Sequence, residues 1–207
     1  MAVNYLIHAE VVDLKSDTPK SEDVFLVDTN VWYWMTYTRA SLSVHPPSYS
    51  QTTHYPSYTN AVLGAGAKIF HSGLTLAELA HLIEKVEREI YEAAHGSIKP
   101  KDYRHNLPVE RTRVNAELQV AYGLVRTLAD LLVVSIDNAT VTTALHRFQT
   151  EPVDGYDLFI LESMQRSGVT QVITDDGDFT TVSGIRVFTA NQNVIQAARA
   201  QGRLVTR

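Results

Sequence analysis

Asp28, Glu78, Asp157 and Asp176 are the residues of this chain whose type and placement allow chemistry. Asp28 closes the apolar run Val24-Phe25-Leu26-Val27. Asp176 follows a second such run, Val172-Ile173-Thr174, in the sequence Thr174-Asp175-Asp176-Gly177-Asp178-Phe179. Glu78 and Asp157 each lie near the start of a helical pattern. In open α/β sheets ligands bind beyond the carboxyl ends of the strands, where strand-end and helix-start residues gather. Carboxylates converging there cannot all ionise unless a cation neutralises them. Oxygen donors of this kind favour Mg2+ or Mn2+ over zinc. Such a cation polarises a phosphodiester, acidifies water and stabilises the leaving oxygen, so the pattern predicts hydrolytic phosphoryl chemistry.

Each acid also has a purely local reading. Thr75 with Glu78 three residues later matches a capping box, in which Glu78 bonds the backbone N–H of Thr75. Asp28 can end a strand and cap the next helix, and Asp157 suits the first turn of a helix. Asp175-Asp176-Gly177-Asp178 is strong turn chemistry. Order and placement beside buried strands favour one shared site over four separate caps and turns. No Ser-His-Asp order, phosphate-binding glycine loop or HExxH sequence competes. An aspartyl-nucleophile phosphatase would want an acid two residues after Asp28, where Asn30 stands.

The elements that must position these acids follow from the apolar pattern. Apolar positions at Val3, Tyr5, Ile7, Val11 and Leu14 predict an extra N-terminal strand, set off by the polar stretch Lys15–Asp23. The run 24–27 suits a fully buried parallel strand, followed by an aromatic-rich helix from Asn30 to Tyr37. Residues 38–56, with Pro46, Pro47 and Pro56, read as a long loop. A short helix near 57–66 leads to a strand at 68–71. Leu76, Leu79, Ala80, Ile83, Val86 and Ile90 recur at helical spacing. Residues 95–113 break that pattern, and a long helix from about Val109 to Leu132 precedes a strand over 133–136. Helices over 138–148 and 156–166, strands over 171–174 and 185–189, and a helix over 194–200 complete the chain. Strands alternating with helices predict a parallel sheet covered on both faces, in a single domain.

The 207 residues fit one domain, and 44% hydrophobic and 20% charged residues suit a soluble globular protein. No apolar stretch reaches membrane-helix length, and the N-terminus lacks the features of a secretory signal. The absence of cysteine excludes disulfides and thiolate metal sites and is compatible with the cytoplasm. A net charge of −5 argues against a broadly basic nucleic-acid binder but not against a nuclease whose acids hold a cation.

The motifs carry a family likeness. Val24-Phe25-Leu26-Val27-Asp28-Thr29-Asn30 resembles the opening strand and metal-binding aspartate of the PIN-domain ribonucleases. Thr75-Leu76-Ala77-Glu78-Leu79 is similar to that family's second acidic site. Tyr156-Asp157-Leu158-Phe159-Ile160 and Thr174-Asp175-Asp176-Gly177-Asp178-Phe179 resemble its C-terminal half. The likeness spans about residues 24–190 and implies a three-layer α/β/α fold around a mainly parallel sheet. It implies a Mg2+- or Mn2+-dependent endoribonuclease in which Asp28, Glu78, Asp157 and Asp176 are catalytic metal ligands. Asp178 assists as a ligand or through another ligand. Thr29 or Asn30 orients Asp28, and Thr174 binds water or phosphate. Asp175 stands where the family commonly has a basic or neutral residue, so the choice among Asp175, Asp176 and Asp178 stays open. The likeness further implies a toxin of the VapC type, with RNA as substrate, an antitoxin protein as partner and a homodimer as the assembly. The alternative within the same fold is an RNA-binding or scaffold module without catalysis. Against a typical toxin, this chain adds the extension 1–23, the loop 38–56 and an insertion over 91–113.

Lys99, Lys101, Arg104, His105, Arg111 and Arg113 form a basic segment suited to RNA phosphates, or to a solvated surface. Trp32, Trp34, Tyr37, Tyr49, Tyr55 and Tyr58 offer rings for unpaired bases, although Trp32 and Trp34 are better explained as packing residues. No histidine pair has ligand spacing; His45 and His54 merit attention through their place in the loop.

Overall fold

A computed structural model of the chain describes residues 3–207; Met1 and Ala2, the first residues of the expected extension, lie outside the described residues. The run Val24–Val27 forms β2, an interior strand of a six-stranded sheet in which every pairing is parallel. Phe25, Leu26 and Val27 are all at most 1% exposed, as expected for a strand covered on both faces. The other strands are β1 (Glu10–Asp13), β3 (Lys68–Ser72), β4 (Asp130–Leu132), β5 (Gln171–Ile173) and β6 (Arg186–Thr189). Across the sheet they run β1-β6-β5-β2-β3-β4. From β2 the chain builds outward through β3 to β4, then returns to β5 on the opposite flank. The crevice beyond the ends of β2 and β5 is therefore a topological switch point, where open α/β sheets bind ligands.

Alternating side chains feed two cores. Phe25, Val27, Ile173 and Phe188 face a layer made by α1 (Thr29–Thr36), α2 (Tyr49–Gly64), α3 (Thr75–His95), α4 (Pro100–Asn106) and α5 (Pro108–Leu128). Leu26, Val172 and Val187 face α6 (Asn138–Thr150) and α7 (Gly155–Ser167). α8 (Gln192–Ala200) covers β1 through Val194 and Ala198 against Ile7 and Val11. This is the single-domain three-layer α/β fold expected from the alternation of strands and helices. Among the described residues, no helix is long and apolar enough to cross a membrane.

Several local expectations are corrected. The expected loop 38–56 holds a short 3-10 turn, Ala40–Leu42, and the first half of α2. Ser48 caps α2 with Gln51 in a full capping box, which starts the helix early; Pro56 costs it one backbone bond without ending it. In the 91–113 segment, Pro100 and Pro108 start α4 and α5, because a first-turn N–H has no helical partner to lose. The expected strand 133–136 lies outside the sheet. Pairing of β4 with β3 ends at Leu132, and Val133 and Ile136 are exposed. Among the described residues of the N-terminal segment only Glu10–Asp13 is strand, paired in register with β6 from Glu10↔Arg186 to Asp13↔Thr189.

Candidate functional site

β2 is followed directly by Asp28, whose side chain caps α1. Its Oδ1 accepts from the Thr29 N–H (2.6 Å), and its Oδ2 accepts from Thr174 Oγ1 (2.7 Å) and Asn30 Nδ2 (3.5 Å). Thr174, directly after β5, is fully buried; its Oγ1 also accepts from the Asp176 N–H (2.9 Å). Asp176 Oδ1 in turn accepts from the Asp178 N–H (2.9 Å). One threonine hydroxyl thus ties the ends of β2 and β5 together.

Glu78 does not close a capping box. α3 is preceded by Leu74 with no side-chain cap, and Glu78 instead accepts a hydrogen bond from Thr29 Oγ1. The local reading of Glu78 is therefore replaced by a link across to α1. Asp157 stands in the first turn of α7, as its local reading expects, without being the cap. That role belongs to Asp154, which accepts from the Tyr156 N–H (3.1 Å) and Asp157 N–H (3.4 Å). Asp154 was not anticipated, although an acid three residues before Asp157 and an apolar run is a helix-start signature.

The electrostatics join these acids. Burial, followed among the raising causes by the charges of Glu78 and Asp176, pushes Asp28 up to about 7. Burial and the charges of Asp28, Asp154, Asp176 and Glu78 push Asp157 up to about 9. Asp178 is raised to about 6 by burial, Asp176 and Asp154. Burial raises Glu78 and Asp176 as well, with Asp154 adding to both. Among the described residues, every charged neighbour acting on these five groups is another acid.

Buried carboxylates without a cation fit a hard divalent metal in donor type and charge. Among the described residues, no three acidic or histidine side chains already stand as a formed metal shell. The donors fit; their closure around an ion is not preformed.

A model of the PIN domain matches residues 25–185, more than half of the chain and the part that contains all five acids. The chain belongs to the PIN-domain family. PIN domains are in general nucleases and in general use divalent metals. The crystal structure of PAE2754 from Pyrobaculum aerophilum resembles this PIN domain with a TM-score of 0.42 and 14% identity, over 90% of this chain and 96% of that one. No curated protein matches the chain.

Within the PIN domain, Asp175 is turned away from the other acids. Its Oδ1 accepts from Tyr55 Oη (2.6 Å), its Oδ2 accepts from Gln51 Nε2 (2.9 Å), and its carbonyl accepts from Asn191 Nδ2 (2.9 Å). It anchors α2 and the start of α8 to the end of β5. Asp176, by contrast, acts on both Asp28 and Asp157. The basic segment stands apart from the acids. Arg104 and Arg111 both grip Glu84, and Arg113 pairs with Glu110. Glu84 is six residues along α3 from Glu78, roughly 9 Å of helix. Lys99 and Lys101 are exposed. Trp32, Tyr37, Tyr55 and Tyr58 are buried, and Trp34 packs on Tyr55 with ring centroids 5.3 Å apart. Tyr49 is exposed beside His54, and His45 is exposed.

Proposed function

We propose that this PIN domain is a Mg2+- or Mn2+-dependent endoribonuclease. One observation carries the reading: Asp28 and Asp157 are buried at the switch point of a parallel sheet, are raised by burial and by neighbouring acids (Glu78 and Asp176 on Asp28, Asp28 itself on Asp157), and have no cationic partner among the described residues. In this reading Asp28, Glu78, Asp157 and Asp176 hold the ion, with Asp178 beside them. When bound, the cation would supply the positive charge that phosphodiester hydrolysis needs at the attacking and leaving oxygens. The chain's own work is orientation. Thr174 and the Thr29 N–H fix the two oxygens of Asp28, and Thr29 Oγ1 fixes Glu78. Lys99 and Lys101, with the outer faces of Arg104, Arg111 and Arg113, would meet RNA phosphates away from the reaction centre.

The test is cleavage of a labelled single-stranded RNA with Mn2+. Cleavage should stop with EDTA and fall in Asp157→Asn by about 10^3-fold, the rate equivalent of several kcal/mol of lost charge stabilisation. Cleavage that survives both treatments would sink the metal-nuclease reading. RNA binding without Mn2+ binding would replace it with a non-catalytic RNA-binding module.

We further propose a toxin acting as a homodimer in the cytoplasm and held in check by an antitoxin. Val141, Leu145 and Phe148 lie at helical spacing on α6, all at least 47% exposed, and would furnish an apolar face for self-association. Growth arrest on induction, relieved by Asp28→Asn, supports the toxin reading; light scattering that returns a monomer removes the dimer.

A further inference from the structure

Residues 3–9 precede the first strand and lie outside the span matched by the family model, yet they reach the acidic loop. The point of contact is Gly177, between Asp176 and Asp178. Its backbone, at φ −74° and ψ −17°, is one that any residue adopts, so conformational freedom does not explain the glycine. Space does. A Cβ at Gly177 would collide with the ring of Tyr5, 2.1 Å from its Cε1, 2.4 Å from its Cζ and 2.8 Å from its Cδ1 atom. The ring lies on the bare peptide, beside Asp175, Asp176 and Asp178, whose charges all act on the Tyr5 hydroxyl.

Tyr5 is held there from both sides. Gln201, just past α8, donates from Nε2 to the Tyr5 carbonyl (2.9 Å) and accepts from the Ile7 N–H (3.0 Å) through Oε1. Ile7 is 2% exposed and packs with Val11, Val194 and Ala198. The His8 and Ala9 N–H groups both donate to the Thr180 carbonyl (2.8 and 2.9 Å), and Thr180 N–H donates to the Gly177 carbonyl (3.0 Å). The N-terminal segment therefore grips the 177–181 turn at its start and near its end.

We infer that residues 5–9 form a brace on the acidic loop, with Tyr5 as a positioning residue that fixes the Asp176 and Asp178 carboxylates by packing on Gly177. The inference rests on the metal-nuclease reading for its consequence and on the packing alone for its mechanism. The turn chemistry of Asp-Asp-Gly-Asp is thereby given a second purpose: the glycine admits a ring from the other end of the chain.

The experiment compares the full-length wild type with Tyr5→Ala, Tyr5→Phe, Gly177→Ala and the double variant Tyr5→Ala/Gly177→Ala. Amide hydrogen exchange over residues 176–181 reads the brace without metal, and calorimetric titration with Mn2+ reads its consequence. Tyr5→Ala should speed exchange of these amides while leaving that of β2 unchanged. It should weaken Mn2+ binding by about 10–100-fold, the usual cost of losing a group that supports a ligand. Tyr5→Phe should restore both, because the ring and not the hydroxyl carries the contact. Gly177→Ala should be damaging alone and add nothing in the Tyr5→Ala background, since the collision then has no partner.

On RNA, kcat should fall in Tyr5→Ala with KM unmoved. Unchanged exchange in Tyr5→Ala, or additive effects in the double variant, overturns the brace. A rise in KM alone, with Mn2+ affinity intact, assigns the ring to RNA contact and also overturns it. A wild type that binds no Mn2+ overturns the nuclease reading instead, and the exchange data still decide the brace.

Discussion

β2 carries an aspartate at each end, and the two have opposite fates. Asp23 precedes the strand and Asp28 follows it, about 16 Å apart along the backbone. Both are under a tenth exposed, at 5% and 7%. Burial pushes Asp23 up, but bonds from Arg207, the Lys20 N–H and Gln171 carry it below the ordinary carboxylate value. Arg207 spans Asp23 and Asp17 with its fork, is close to Tyr58 Oη, and lies over the Phe188 ring at 4.6 Å. Asp28 has a hydroxyl, a backbone N–H and an amide, and otherwise only acids. One end of the strand is a closed ion pair that fastens the fold. The other is a negative charge left open. Placement at the carboxyl ends of the strands decides which end is available for chemistry.

Breaking the closed end should have the largest effect on stability. Arg207→Ala would strand two carboxylates whose side chains are 1% and 4% exposed. Removing one partner of a buried pair costs about 3 kcal/mol or more, which for a chain of this size lowers Tm by roughly 6–12 °C. Asp28→Asn should not lower Tm at all in metal-free protein, because it removes an unpaired charge. Calorimetry of the two variants at pH 8 checks the contrast, and a greater loss in Asp28→Asn would refute it.

Supplying a cation should make the open end resemble the closed one. Mn2+ at a hundred times its dissociation constant stabilises by about 2.7 kcal/mol, or roughly 5–11 °C. The shift should vanish in Asp28→Asn and persist in Arg207→Lys. A Tm that ignores Mn2+ in wild type would place the ion elsewhere or nowhere.

The two ends should also answer pH with opposite signs. Folded metal-free protein holds protons on Asp28 to about 7 and Asp157 to about 9, against an ordinary value of 3.8. At these two sites folded chains then bind more protons than unfolded ones, so their contribution to stability is full below about pH 4 and declines as pH rises toward 9. Asp23 is lowered, so its contribution is present above 3.8 and is lost as pH falls through its folded value. Melting curves from pH 3 to 10 should show the alkaline decline flattened in Asp157→Asn and the acid decline reduced in Asp23→Asn.

How far the sequence revealed these two ends differed. The layers, the buried strands and the placement of Asp28, Glu78, Asp157 and Asp176 beyond them followed from short apolar runs and their flanking acids. Such signals are local. What was missed needed a distant partner. Arg207 meets Asp17 and Asp23 only after the sheet has formed, and Tyr5 meets Gly177 across nearly the whole chain. Asp175 looked equivalent to Asp176 until Tyr55 and Gln51 of α2 took both its oxygens. Pro46, Pro47 and Pro56 give this stretch the composition of a loop, while the Ser48–Gln51 capping box starts α2 within it and so brings Gln51 and Tyr55 to Asp175. Asp154 and Asp157 are both acids suited to the start of α7, and only the backbone of the formed helix distinguishes the cap from the first-turn residue.

The finest difference between the two ends lies in a hydroxyl. Asp23 is held by a charged donor, and Asp28 chiefly by Thr174 Oγ1, which favours the ionised carboxylate without neutralising it. Thr174→Val keeps the shape and removes that donor, and the Asp176 N–H loses its acceptor as well. Asp28 should then ionise only at higher pH, so the acid limb of the kcat/KM profile with Mn2+ should move upward. Activity at neutral pH should fall about tenfold, the lower range for a group that supports a ligand. Thr174→Ser, which keeps the hydroxyl and leaves a methyl-sized gap, should retain the wild-type profile at reduced Tm. If valine and serine shift the profile equally, packing and not the hydrogen bond sets the ionisation of Asp28.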